Sequence, residues 1–403
     1  MGKTKNMPKL RFPGFTDAWE QCKLSDCCGQ LSATLNPQDT PDDVFAEYSM
    51  PAFDNGEVPD IVAGKTMNSA RKILDRPCLL INKLNVRKKR IWNVEMPEKN
   101  AVSSAEFVPV YSDDINMSFL KYIVLSDSFT AYLEDCSSGS SNSQKRVTPD
   151  IIMSAAFMFP SKGEQDRIGK YFEQLDNLIT LHQRKCEAVK TYKKCMLQKM
   201  FPKDGENIPE IRFSGFTDAW EQRKLGELYI ERNERGNDSL QILSVSIHTG
   251  VSDGALDEET LGKFVKRSED KSTYKHVYAG DLIFNMMRAW QGAIGVAKNE
   301  GMISPAYISA IPKDNVYPLF MDYALRRDSA IAEINNLSYG VTDFRKRLYW
   351  NSFVNVTCQL PSIDEQKKIY VFFKNLDNLI AHQQLEYEKL KKLKKCLLQQ
   401  MFV

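Results

Sequence analysis

A long segment of this chain occurs twice, and that repetition constrains everything around it. PSKGEQDRIGKYFEQLDNLITLHQRKCEAVKTYKKCMLQKMF (Pro160 to Phe201) returns as PSIDEQKKIYVFFKNLDNLIAHQQLEYEKLKKLKKCLLQQMF (Pro361 to Phe402), displaced by 201 positions without a gap. In the first copy Ile168, Phe172, Leu175, Ile179, His182, Cys186, Val189, Lys193, Met196 and Met200 alternate steps of four and three. Ile369, Phe373, Leu376, Ile380, Gln383, Tyr387, Leu390, Lys394, Leu397 and Met401 do the same in the second. This is the a/d spacing of a coiled-coil seam. Each copy opens on Ser-x-x-Glu (Ser161/Glu164 and Ser362/Glu365), the spacing of a capping box that satisfies free N–H groups of a first helical turn. The polar seam residues His182, Lys193, Gln383 and Lys394 are expected to set register; a switch or ligand role for His182 is the other reading.

A second, shorter repeat has the same displacement. RFPGFTDAWEQ at 11–21 returns as RFSGFTDAWEQ at 212–222. The chain therefore consists of two consecutive units, each an aromatic segment, a large middle and a long helix. A period of 201 residues is far longer than the roughly 20–50 of solenoid arrays, so this is a duplicated domain. The boundaries follow: residues 1–21 and 203–222 are the repeat segments with their linker, 22–160 and 223–361 the middles, 161–202 and 362–403 the helices. The middles have diverged but read alike, as mixed α/β (α+β) domains. Strands are expected at Cys78–Asn82, Phe107–Tyr111, Ile242–Ile247, Asp281–Asn285 and Tyr307–Ile311. Helical segments are expected at Ser118–Leu133 and Leu319–Asn335, a flexible loop at Ser137–Ser143 and a polar linker at Pro202–Asn207.

Length decides the arrangement. A helix of about 39 residues spans about 58 Å, whereas a domain of about 140 residues has a radius of gyration near 14 Å. The second middle must join the end of one helix to the start of the next. Parallel helices would separate those points by the full helix length; antiparallel helices bring them together. The expectation is an antiparallel coiled coil with a pseudo-twofold internal repeat.

Composition excludes more than it suggests. A net charge of +2 neither demands nor forbids nucleic acid, so any basic surface must be local. No apolar run approaches the roughly 20 residues that span a bilayer, and MGKTKNMPKLRF has no apolar signal core, which points to the cytoplasm. Nine cysteines without regular spacing then read as reduced thiols. No phosphate-binding Gly-x-x-x-x-Gly-Lys loop, Gly-x-Gly-x-x-Gly, His-Glu-x-x-His or Gly-x-Ser-x-Gly is present, nor is the Asp/Asn-Pro-Pro-aromatic signature of an amino-methyltransferase. Neither cysteines nor the four histidines have metal-site spacing. The chain is expected to catalyse nothing alone, and to hold no metal.

The positive signals are local basic clusters. NKLNVRKKRIW at Asn82–Trp92 carries Lys83, Arg87, Lys88, Lys89 and Arg90. SGSSNSQKR at Ser138–Arg146 places Ser138, Gln144, Lys145 and Arg146 on a loop. The second middle has Arg288, Trp290 and Gln291, then YGVTDFRKR with Tyr339, Thr342, Arg345, Lys346 and Arg347. Arginine reads guanine edges and amides read adenine edges in a major groove, while flanking lysines hold phosphates. The alternative is that such runs are solvated faces. For the aromatic sets Phe12, Phe15, Trp19 and Phe213, Phe216, Trp220 the two readings are packing against helix ends within the chain and docking of another protein.

These residues resemble a known family. RFPGFTDAWEQCKLSD and RFSGFTDAWEQRKLGEL, the helix starts FPSKGEQDRI and LPSIDEQKKI, GDLIFNMMRAWQGAIG followed by ISPAYISAIP, and FRKRLYWNSFVNVTCQLP together are similar to the specificity subunit of type I restriction–modification enzymes. The resemblance covers essentially the whole chain; NKLNVRKKRIWN and VSSAEFVPVY follow the family pattern only loosely. It implies two target-recognition domains that read the halves of an asymmetric bipartite double-stranded DNA target across a spacer set by the helices. It implies two docked adenine-N6 methyltransferase (modification) subunits, with restriction translocase/nuclease subunits joining through them. S-adenosylmethionine, Mg and ATP would belong to those partners and not to this chain. A non-catalytic coiled-coil scaffold with two protein-binding globular ends is the competing reading.

Overall fold

The computed structural model describes residues 7–139, 144–237, 239–252, 272–340, 342 and 345–402. The chain divides into two compact units, residues 1–184 with 383–403, and residues 185–382. That division cuts both long helices, Lys162–Lys199 and Ile363–Met401, near their middles. Each unit thus owns one middle plus half of each helix. Among the described residues no helix is long and apolar enough to cross a membrane, and all nine cysteines are free thiols.

In the first unit the two ends of the middle are tied by an antiparallel pair, Glu20–Lys23 against Ala156–Phe159. A four-stranded antiparallel sheet runs in the order Gly29–Gln30, Phe107–Tyr111, Cys78–Asn82, Ile91–Val94. Every residue of Cys78–Asn82 is buried, as expected of a strand covered on both faces. A five-stranded sheet adds Thr34–Leu35, Arg71–Ile73, Ala101–Ser103, Val44–Tyr48 and Asp60–Ala63 in that spatial order. The helical stretch expected over Ser118–Leu133 is two helices, Met117–Val124 and Asp127–Asp135. The break falls where Ser126 caps the second helix, its hydroxyl accepting from the Phe129 N–H at 3.2 Å, because a hydroxyl at an N-cap competes with helix continuation.

That helix pair packs on the paired halves of the long helices through Phe119, Tyr122, Phe172 and Phe402. Within the unit the two long segments run antiparallel: Phe172 meets Phe402 at 5.7 Å, Asp176 accepts from Lys394, and His182 meets Gln383 at 2.8 Å. Rising numbers on one helix face falling numbers on the other.

The second unit repeats the plan. Glu221–Lys224 pairs with Thr357–Leu360 in the register of the first unit advanced by 201 at each position. Its four-stranded sheet runs Tyr229–Arg232, Tyr307–Pro312, Leu282–Asn285, Ile294–Val296. The strand expected over Ile242–Ile247 is reduced to Val245–Ser246, paired with Gly250–Val251. Leu319–Asn335 is again two helices, Pro318–Ala324 and Asp328–Leu337. Here too the long segments are antiparallel, with Phe201 against Phe373 at 6.3 Å and Lys193 donating to Asp377.

All twenty residues of the two heptad series are buried or half-buried, so the seam read from spacing is the face these helices hide. The capping box is corrected. Glu164 is fully buried and both its oxygens accept from the Arg11 guanidinium at 2.7 Å; Glu365 does the same with Arg212 at 2.7 and 2.8 Å. A bidentate charge-assisted pair outcompetes a neutral backbone donor for the carboxylate. The pair fastens each aromatic segment to the start of a long helix.

Candidate nucleic-acid interface

In the first unit two basic stretches far apart in sequence become one surface. After the strand Cys78–Asn82 the chain makes a tight turn over Val86–Lys88, flanked by Asn85 and Lys89 in the left-handed region. The second stretch folds back beside it: Ser138 and Arg146 exchange backbone hydrogen bonds of 3.0 and 2.8 Å, the Asn85 N–H donates to the Lys145 carbonyl at 2.9 Å, and the Val147 N–H donates to the Lys83 carbonyl at 3.1 Å. Residues 140–143 of the expected loop lie outside the described residues. Gly139 permits the closure, since a Cβ there would sit 2.8 Å from the Gln144 carbonyl oxygen; a Cβ on Gly340 in the second unit would press still closer on the Arg345 carbonyl oxygen.

Not every expected contact residue remains available. Arg90 is 7% exposed and grips Asp54 through two bonds of 2.7 and 2.6 Å; the pairing holds that carboxyl below its usual range. Lys89 donates to the Leu125 carbonyl at 2.9 Å and to Asp127 at 2.7 Å, tying the turn to the break between the two helices. Arg90 is corrected from a DNA contact to an internal fastener, since its side chain is buried on its carboxylate; Lys89 anchors the turn through the carbonyl, and its ion partner Asp127 is exposed. Arg87 pairs with Glu134 at 2.7 Å and Arg146 with Glu106 at 2.9 Å, with each arginine side chain at least half exposed. Exposed pairs of this kind are worth about 0–1 kcal/mol, so a phosphate can displace the acid. Lys83 is half-buried and Lys88 and Gln144 exposed. Among the described residues neither Lys88 nor Lys145 forms an ion pair.

The second unit builds the matching edge from different residues. Arg288 and Gln291 are exposed around the turn Ala289–Gln291, while the Trp290 indole donates to the Met287 carbonyl at 2.9 Å. That bond leaves Trp290 a ring face to offer and no free donor. Tyr339 and Arg347 exchange backbone bonds of 3.1 and 2.9 Å, and the Leu348 N–H donates to the Met286 carbonyl at 2.9 Å, which seats the second cluster beside the first. Tyr339 is half exposed and lies 5.1 Å from the Tyr349 ring. Lys346 reaches Asn335 at 3.5 Å. Thr342, Arg345 and Arg347 are exposed; among the described residues neither Arg288, Arg345 nor Arg347 forms an ion pair. Residues 341, 343 and 344 lie outside the described residues.

The aromatic segments divide in two. Trp19 is 1% exposed against Phe119 and Phe402, and Trp220 is 2% exposed against Phe201 and Phe320. These are corrected from protein-docking residues to core, since a ring buried to this degree presents no surface for a partner protein to cover. Phe12 lies edge-on to Tyr171 at 5.5 Å and Phe213 to Phe372 at 6.0 Å. Lys368 sits over Phe216 at 4.8 Å, and Phe15 is half-buried. These four retain exposed edges at the helix starts.

Two matched clusters escaped the sequence reading. Tyr122 donates to Asp176, which also accepts from Lys394; Tyr323 donates to Asp377, which also accepts from Lys193. Burial first, then the carboxylate, pushes both phenols well above their ordinary value. The seam lysines gave a signal, but their acceptors lie on the opposing helix. Among the described residues no group of His, Cys, Asp and Glu is arranged to hold a metal ion.

Two mixed α/β units, each closed on paired segments of two long helices and each with a loop edge rich in basic and amide side chains, make a fold similar to that of a solved S subunit of a type I restriction–modification system. Superposition on the S subunit of the type I restriction–modification system from M. genitalium covers 98% of this chain and 99% of that one, with a TM-score of 0.61 at 13% identity. A chain from a structural study of complex assembly and conformational transition of the type I R-M system gives a TM-score of 0.53 at 16% identity, covering 96% and 98% of the two chains. By sequence, the chain is 24% identical over 268 residues to the MjaVIII type I restriction enzyme specificity subunit of Methanocaldococcus jannaschii, a match covering 62% of this chain and 61% of the relative. The match thus spans about three-fifths of that relative's length. No protein-family profile matches the chain. The resemblance carried by the repeated motifs is met by a curated relative and by solved neighbours of that kind.

Proposed function

We propose that this chain reads DNA for a type I restriction–modification complex. Each α/β unit recognises one half of an asymmetric, bipartite target. The two long helices form an antiparallel coiled coil about a pseudo-twofold axis, and their length sets the unread spacer. Lys83, Arg87, Lys88, Gln144, Lys145 and Arg146 face one half-site; Arg288, Gln291, Tyr339, Thr342, Arg345 and Arg347 face the other. The observation that supports this best is the convergence, in each unit, of two sequence-distant basic clusters onto one loop edge built from unlike residues. Unlike edges on like scaffolds suit recognition of two different sequences.

Two adenine-N6 methyltransferase subunits dock on the repeated parts, Phe12, Phe15, Phe213 and Phe216 among them, and bring S-adenosylmethionine. Restriction subunits join through them with ATP and Mg. The chain itself catalyses nothing and acts in the cytoplasm beside the DNA. Methylating a base within a duplex requires flipping it from the stack, so the readers grip DNA beside each modified adenine while the partner does the chemistry.

A salt titration of duplex binding by the purified chain tests the reading against the scaffold alternative. The logarithm of affinity should fall linearly with the logarithm of salt, by about 0.9 per phosphate contact. Absence of duplex binding at low salt, alone and with the methyltransferase subunits, would leave the scaffold reading standing.

A further inference from the structure

A cavity of about 500 Å³ in the second unit lies away from the basic loop edge. Three kinds of donor line it. The first is the start of the helix Asp328–Leu337, whose N-cap position is Arg327 and which has no side-chain cap. The opening N–H groups of a helix have no acceptor of their own and carry the positive end of the dipole. Asp328 and Ser329 are exposed there, and Ser329 and Ala330 line the cavity.

The second donor is the half-buried Arg327 guanidinium. It sits 4.3 Å over the Phe201 ring, and its Nε donates to the Ala324 carbonyl at 3.3 Å. Among the described residues it makes no ion pair, and burial lowers its pKa to about 10. The third is the Trp220 indole N–H, on a residue 2% exposed, which has no acceptor among the described residues. Asp204, Glu206 and Glu333 also line the cavity, with Lys203, but among the described residues none of these acids forms an ion pair with Arg327. Asp204 and Glu206 are exposed, and Glu333 accepts from the Thr357 N–H and hydroxyl at 2.8 Å each.

We propose that this cavity binds a small oxyanion, the phosphate or carboxylate group of a free ligand, with the Arg327 guanidinium, the Trp220 indole N–H and the first turn of Asp328–Leu337 as its donors. Helix starts bind such groups when a further donor fixes them. A DNA backbone is disfavoured as the source. Lys346 binds Asn335, seven residues and so about 10 Å along this helix from the opening turn at Asp328. The first unit supplies an internal control. Shifted by 201, Arg327 becomes Ser126, whose hydroxyl caps its own helix, and Gln359 becomes Met158, while the Trp19 indole is equally unpartnered.

The test is the indole N–H spectrum of the full chain labelled at tryptophan, with Trp220 assigned through Trp220→Phe. Inorganic phosphate and acetate are the probes. Saturable movement of the Trp220 signal with either probe, at concentrations that leave Trp19 still, is the expected result. Arg327→Gln should weaken it at least tenfold, and Arg327→Lys should restore part of it. No movement of Trp220, or equal movement of Trp19 and Trp220, overturns the proposal. So does movement driven by a DNA duplex in phosphate-free buffer, which would assign the cavity to a nucleic-acid backbone. The wild-type comparison of the two indoles stands even where a variant does not fold.

Discussion

Arg90 and Arg288 carry the same charge next to comparable turns, and the difference between them is the partner each finds. Arg90 has the Nε/Nη2 edge of its guanidinium occupied by Asp54 and its Nη1 directed at the Met50 sulfur, whereas Arg288 is exposed without an ion pair among the described residues. Arg90→Ala should therefore cost about 1–3 kcal/mol of stability, read by denaturant unfolding, with base preference unchanged. Arg288→Ala should leave the midpoint where it is and relax one base position by about 1–3 kcal/mol, measured on duplexes substituted one base pair at a time. A shift in base preference with Arg90→Ala would contradict the division between fasteners and readers. Arg11 is a stronger fastener, because Glu164 has no exposure at all. Removing one member of a buried pair strands the other's charge, at about 3–5 kcal/mol. Arg11→Ala should lose that much in denaturant unfolding, and Arg212→Ala should match it through Glu365. Sequence could not separate Arg90 from Arg87, since the deciding acids, Asp54 and Glu134, come from other elements. It did not expose the Arg11 pair either, for a capping-box spacing explained Glu164 just as well.

At the level of elements, the long helices were the most legible part and the small strands the least. A period of three and four sustained over ten positions leaves a helix only one face to bury, and burial falls on those positions. Within that seam His182 and Gln383 bond one another at 2.8 Å, with Gln383 9% exposed. Replacing one of them by Leu strands a polar partner, which costs about 1–3 kcal/mol. Replacing both removes the unmet group, so the double variant should recover most of that loss. Thermal unfolding of the two single variants and the double gives the coupling directly, and strictly additive losses would show that the bond contributes nothing. The five-stranded sheet of the first unit was not legible. Its strands are two to five residues long and their spatial order departs from chain order, with Ala101–Ser103 lying between Arg71–Ile73 and Val44–Tyr48. The loop edges were half legible: composition marked Lys83–Arg90 and Ser138–Arg146 separately, but only the backbone bonds between Asn85, Lys145, Lys83 and Val147 join them.

For the whole molecule, the proposed reading makes target sequence and spacer separable properties. Each unit closes its own middle through an antiparallel strand pair at the same register, Glu20–Lys23 with Ala156–Phe159 and Glu221–Lys224 with Thr357–Leu360. A middle can therefore be exchanged at those pairs without recutting either long helix. Replacing residues 223–361 by the equivalent span of another such subunit should change one half of the methylated sequence and leave the other half untouched, read by sequencing adenine methylation in a host carrying the hybrid. Changes in both halves would mean that the units do not read independently. Spacer length should respond to the helices alone. Four residues added to each long helix lengthen it by about 6 Å, between one and two base-pair steps of about 3.4 Å, so both half-sites should persist with the gap between them widened. If the half-sites move apart while their sequences stay fixed, the helices measure the target; if the gap is unchanged, something other than the seam sets it.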